Sequence, residues 1–157
     1  MDLMDNALIV HSGDIGSWNG SAYTGIAGYI ASGRGDGSWN GSGVVTSMSS
    51  ALAPQVLTTL DAARAGDVGL TTFHGFSLAP GDVLVRYTWG GDANLDGTLN
   101  GDDYFRIDSH VAQNGAVFGY GNGDFNYDGA IDGDDYFIID SNIAVGQTAT
   151  PFPPVGL

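Results

Sequence analysis

GDANLDGTLNGDDYFRIDSH, residues Gly91–His110, returns 32 positions later as GDFNYDGAIDGDDYFIIDSN, residues Gly123–Asn142. More than half of the twenty aligned positions are identical, so the two stretches form a true internal repeat. Each copy opens Asp-x-Asn-x-Asp-Gly and closes on a pair of aspartates that leads into an apolar stretch.

Numbered from its first Asp, each copy places oxygen-bearing side chains at positions 1, 3, 5, 9 and 12. These are Asp92, Asn94, Asp96, Asn100 and Asp103 in the first copy, and Asp124, Asn126, Asp128, Asp132 and Asp135 in the second. A chain that wraps a calcium ion turns alternate side chains inward, bends sharply at a glycine in position 6 and adds the carbonyl of position 7. Gly97 and Gly129 supply the bend, and Thr98 and Ala130 supply the carbonyl. Hard oxygen donors with no neighbouring Cys or His select Ca²⁺ over zinc or copper. The spacing therefore predicts two calcium ions, one per copy. Without metal, the carboxylates of each loop repel one another by about 1 kcal/mol per close pair even in water. The loop segment is expected to be ordered only when calcium is bound.

A short helix is expected after each loop, because Tyr104, Ile107 and Val111, and likewise Tyr136, Ile139 and Ile143, recur at i, i+3, i+7. These residues are expected to pack the two helices together, with Leu99 and Ile131 meeting in a loop-to-loop ladder. Asp102, Asp134, Asp108 and Asp140 fall outside the ligand register and read as solvated faces or an acidic surface.

Upstream, DVLVRYTW (Asp82–Trp89) alternates Val83, Val85, Tyr87 and Trp89 with Leu84, Arg86 and Thr88, a strand that runs straight into the first loop. NALIV (Asn6–Val10) and GVVTS (Gly43–Ser47) also read as strands, and VLTTLDAARAGD (Val56–Asp67) reads as helix or strand, with its Thr pair and weak amphipathicity favouring strand. Between the first two, Tyr23, Ile26, Tyr29 and Ile30 predict a helix capped by Ser21 and stopped by Gly33. The fold class expected is α+β: a small mainly-β unit with one or two short helices over residues 1–90, the double loop-helix unit over 91–146, and a Pro-rich tail over 147–157.

The composition agrees. All 18 acidic residues are Asp, Lys and Glu are absent, and Arg34, Arg64, Arg86 and Arg106 are the only arginines, beside 26 Gly. Without Glu and Lys the chain lacks the usual coat of long surface helices. A net charge of −14 excludes nucleic acid and anionic membranes as partners and invites divalent cations. No Cys is present, so disulfides, thiolate zinc and thiol catalysis are excluded. No apolar run is long enough to span a membrane, and the first residues lack the pattern of a signal peptide.

The repeat resembles the dockerin type I family, whose paired calcium loops each precede a helix and carry Asp at position 12, here Asp103 and Asp135. Residues 5–90 are similar to the region before such repeats in large secreted surface proteins of planctomycete-type bacteria, in phrases such as SGRGDGSWNGSGVVTS. The resemblance implies a calcium-binding protein of the cell exterior. Where dockerins that bind cohesins carry hydroxyl residues at positions 10 and 11, this chain has Gly101–Asp102 and Gly133–Asp134, so calcium binding is implied more directly than cohesin docking.

Two functions are expected on these grounds. The first is a non-enzymatic, extracellular, calcium-stiffened structural module that assembles with copies of itself into a surface fibre or layer. The second is a dockerin-like adaptor that tethers a partner protein. Catalysis is disfavoured: His11, His74 and His110 stand apart, and the paired aspartates are committed to metal. Asn19 and Asn40, each in a GSWNGS stretch, satisfy the N-x-Ser rule and are candidate glycan acceptors, with a plain turn the simpler role. Arg34-Gly35-Asp36 and the scattered Trp18, Trp39 and Trp89 read as loop and core residues rather than recognition motifs.

Overall fold

In the computed structural model, which describes residues 1–147, the chain is a small α+β fold with three α-helices and five strands. The three-stranded antiparallel sheet has the order β1 (Ala7–Val10), β5 (Val83–Trp89), β2 (Thr58–Arg64). β5 takes the centre because both of its alternating faces are apolar. Val83, Val85 and Tyr87 enter the main core, while Leu84 joins Ala63 and Leu95 in a smaller cluster on the other side. Register pairs Leu8 with Val85 and Leu60 with Tyr87. A second, two-stranded hairpin joins β3 (Thr72–Phe73) to β4 (Phe76–Ser77), turning at His74 and Gly75 with positive φ.

Helix α1 spans Gly25–Arg34 and ends at Gly35, where φ is 55°. Both ends correct the expectation from sequence: Gly33, the expected stop, lies inside the helix, and Ser21 is not its cap. Thr24 occupies the N-cap without a side-chain hydrogen bond, and the Ser21 hydroxyl is turned to Asn19 instead. The predicted strand Gly43–Ser47 does not form; only an isolated bridge joins Val45 to Asp2. The cause is close packing, since Gly33 and Gly43 bring this segment against α1: a Cβ on Gly33 would lie 2.0 Å from the Val44 carbonyl oxygen. The segment's backbone groups are spent on the helix and the N-terminus, through Val44 N–H to the Tyr29 carbonyl and Leu3 N–H to the Val45 carbonyl.

Helices α2 (Gly101–His110) and α3 (Gly133–Gly146) follow the two repeats. Packing continues across Gly90–Gly91, where the two expected units meet. One core cluster holds Tyr23, Ile30, Leu60 and Val85 together with Ile107, Tyr120, Phe125, Ile131 and Ile139. Of the Pro-rich tail, residues 148–157 lie outside the described residues.

Candidate metal centre

The two loops repeat each other in backbone as well as in sequence. Position 4 is left-handed in both, at Leu95 (φ 62°) and Tyr127 (φ 63°), and so is the glycine at position 6 (Gly97, φ 87°; Gly129, φ 84°). Leu95 and Tyr127 are not glycines, so this conformation is held against an intrinsic cost of order 1–3 kcal/mol each. Both side chains are buried.

Positions 1 and 12 of each loop lie at its floor. Asp92, Asp103, Asp124 and Asp135 are each 0 % exposed. Asp92 accepts the N–H of Asp96 at 3.2 Å on Oδ1 and that of Gly97 at 2.9 Å on Oδ2. Asp124 does the same with Asp128 at 3.1 Å and Gly129 at 2.9 Å. Asp103 accepts from Ala93 at 2.9 Å and Asn100 at 2.9 Å, and Asp135 from Phe125 at 2.7 Å and Asp132 at 2.9 Å. The position-12 carboxylates therefore also complete capping boxes at the starts of α2 and α3.

Positions 3, 5 and 9 form the rim. Asn94 and Asn126 are half-buried, while Asp96, Asp128 and Asp132 are exposed. Each rim side chain accepts an N–H two residues on, as in Asp96 Oδ1 from Thr98 at 2.8 Å and Asp128 Oδ1 from Ala130 at 2.8 Å. Asn100 and Asp132 cap their helices through Asp102 and Asp134 in the same way. All twelve residues of the expected ligand set thus fall on two matching loops.

Charge is what these contacts leave unbalanced. An ion pair at 3.0 Å joins His11 to Asp82, outside both loops, while Arg86 on β5 acts electrostatically on Asp92 and Asp96 of the first loop. Burial, reinforced by neighbouring aspartates, pushes Asp92 up to about 7, Asp103 to about 6 and Asp135 to about 7, and raises Asp124 as well. Taking an unpaired carboxylate out of water costs several kcal/mol. A bound divalent cation would remove that cost, and the donor set of carboxylate, amide and carbonyl oxygens suits a hard one. Among the described residues no three acidic, His or Cys side chains converge as a metal cluster, and the buried loop carboxylates accept loop N–H groups.

Three supporting residues carry no signal in the loop pattern. The Thr88 hydroxyl donates to Asp92 and the Tyr23 phenol to Asp124, so each position-1 carboxylate takes a hydroxyl from the N-terminal segment. Thr88 sits four residues before its partner on a recognisable strand, whereas Tyr23 is 101 residues from Asp124. The third is Asp61 on β2, 0 % exposed, whose Oδ1 accepts the Tyr127 phenol at 3.5 Å while Oδ2 has no partner. Desolvation, reinforced by the charge of Asp92, raises its pKa well above the usual carboxylate range.

The repeats are also interlocked, which corrects the expected ladder contact. Ile107 lies against Gly123 and Ile139 against Gly91, where an added Cβ would come within 2.8 Å of the isoleucine in each case. Each helix thus supports the entry to the other loop. Leu99 and Ile131 do not form a ladder; Leu99 N–H donates to the Gly146 carbonyl at 3.0 Å and Ile131 N–H to the Asn114 side chain at 3.0 Å. The tyrosines join the helices directly, Tyr104 to Asp140 and Tyr136 to Asp108, both at 2.5 Å. Asp108 and Asp140 are therefore acceptors for the opposite helix, while Asp102 and Asp134 are exposed.

Of the other sequence features, Asn19 and Asn40 are both exposed. Asn19 Oδ1 accepts the N–H groups of Ser21 at 3.1 Å and Ala22 at 3.0 Å, so it builds a turn. Trp18 lies on the second loop: a Cβ on Gly129 would be 2.4 Å from its indole carbons. No helix among the described residues is long and apolar enough to cross a membrane.

No protein-family model, curated protein or solved structure matches this chain.

Proposed function

We propose that this chain is a two-calcium structural module of the cell exterior, whose loop-helix pair is stiffened by metal and which assembles with copies of itself. The observation that carries the calcium part is the four fully buried aspartates, two at the floor of each of two loops that match in backbone as well as in sequence. Asp92, Asn94, Asp96, the Thr98 carbonyl, Asn100 and Asp103 would hold one ion. Asp124, Asn126, Asp128, the Ala130 carbonyl, Asp132 and Asp135 would hold the other. Calcium supplies charge and cross-linking in this reading and activates no substrate, because the buried carboxylates are tied to backbone N–H groups and hydroxyls. The dockerin-like adaptor is the second reading. It is favoured by Phe105 and Phe137, equivalent residues of α2 and α3 that are 72 % and 65 % exposed, an apolar pair suited to a partner surface.

Calorimetric titration of chelator-treated protein tests the reading. Two calcium equivalents, with a gain in resistance of residues 92–145 to protease, are expected. A chain that binds no calcium, or whose proteolysis is unchanged in EDTA, overturns it.

A further inference from the structure

Strand β1 is at the outer edge of its sheet, and its four residues, Ala-Leu-Ile-Val, carry no charge. Asn6 accepts the Tyr87 N–H, which fixes Asn6, Leu8 and Val10 as the residues whose backbone groups face β5. The N–H and C=O groups of Ala7 and Ile9 therefore point away from the sheet, and no described residue bonds to them. An uncharged, half-buried edge of this kind is a template for another strand.

On one side of that edge, Asp5, Ala7, Ile9 and His11 line an open groove of about 460 Å³, walled by Phe73 and by Phe76, which is 67 % exposed. The alternate residues along this wall run acid, apolar, apolar, imidazole. Such a series is complementary to itself read backwards.

We infer that the β1 edge pairs with the β1 edge of a second copy of this chain, antiparallel about a twofold axis at Leu8. The proposal rests on the self-association part of the reading above, not on its calcium part. Outward-facing residues must meet outward-facing residues across the new ladder, so Ala7 bonds with Ile9 of the second copy and Ile9 with its Ala7. Registers displaced by one residue would set inward-facing groups opposite outward ones and lose every bond. In the centred register Asp5 lies opposite His11 of the second copy at both ends of the ladder. His11 is well exposed despite its bond to Asp82, with a side-chain exposure of 75 %. The two copies of Leu8 become a non-hydrogen-bonded pair, with Cα atoms about 4.5 Å apart.

That spacing is within disulfide range, and the chain has no other Cys. Leu8→Cys should therefore oxidise to a covalent dimer at least about tenfold faster than Val10→Cys, whose copies are far apart in this register. Ala7→Pro removes only an outward N–H and should convert the dimer to monomer in sedimentation, with circular dichroism in calcium unchanged. A native chain that sediments as a monomer, with Leu8→Cys no faster than Val10→Cys, overturns both the pairing and self-association. Self-association that persists in Ala7→Pro, with equal cross-linking of the two cysteine variants, overturns the pairing alone.

Discussion

The Tyr23 phenol donates to Asp124, linking the segment before α1 to the first carboxylate of the second loop. It occupies Oδ2, the oxygen that also takes the Gly129 N–H, and so fixes the orientation of the carboxylate. Partners of this kind typically contribute 10- to 100-fold in metal affinity, so Tyr23→Phe should weaken the second calcium site by about tenfold and spare the first. Calorimetry that finds both sites unchanged would remove Tyr23 from the site.

The two sites should differ in strength. The second loop carries Asp124, Asp128, Asp132, Asp134 and Asp135 against Asp92, Asp96, Asp102 and Asp103 in the first, and ligand charge tunes calcium affinity. Asp124→Ala is expected to abolish the tighter step of the titration and Asp92→Ala the weaker. The reverse result would mean that backbone geometry outweighs charge.

In chelator, stability should fall as pH rises. Burial raises Asp92, Asp103 and Asp135 to about 7, 6 and 7 in the folded chain, above the unfolded value near 3.8. The unfolded chain therefore releases these protons first, and folding is penalised progressively from about pH 4 to pH 7. Thermal melts in EDTA should give a higher Tm at pH 5 than at pH 8, and calcium should abolish or invert that order.

Asp61 belongs to the same class without being a ligand. Its buried carboxyl has a raised pKa, so its contribution to folding also declines as pH rises above the unfolded value. Asp61→Asn keeps the shape and removes the ionisation, and should raise Tm at pH 7 in both calcium and EDTA. A lower Tm would show that the carboxylic acid proton is itself needed.

The crossed glycines should be intolerant of a side chain. Gly91 (φ 104°) and Gly123 (φ 116°) are left-handed and abut Ile139 and Ile107, so Gly91→Ala or Gly123→Ala should cost about 1–3 kcal/mol. Denaturant midpoints in saturating calcium measure this, and each change should disturb the loop and the helix of opposite repeats.

The strand at Val83–Trp89, the two helices and the loop register were legible because each rests on local periodicity or spacing. The same locality explains what was not. Gly43–Ser47 has the residues of a strand, but α1 approaches too closely for a sheet neighbour to reach it. Leu99 and Ile131 are buried, yet their N–H groups are claimed by Gly146, the last residue of α3, and by Asn114, beyond the end of α2, neither of which lies in a loop pattern. Tyr23 and Asp61 enter the site through contacts spanning 101 and 66 residues, which no window on the sequence covers.

Trp18, seated on the Gly129 backbone and stacked with Phe118 at 6.2 Å, makes the second loop optically self-reporting. Its emission should follow the occupancy of that loop in unlabelled protein. Paired with calorimetry, which counts both ions, the indole separates their order of arrival, and Trp18→Phe supplies the silent background.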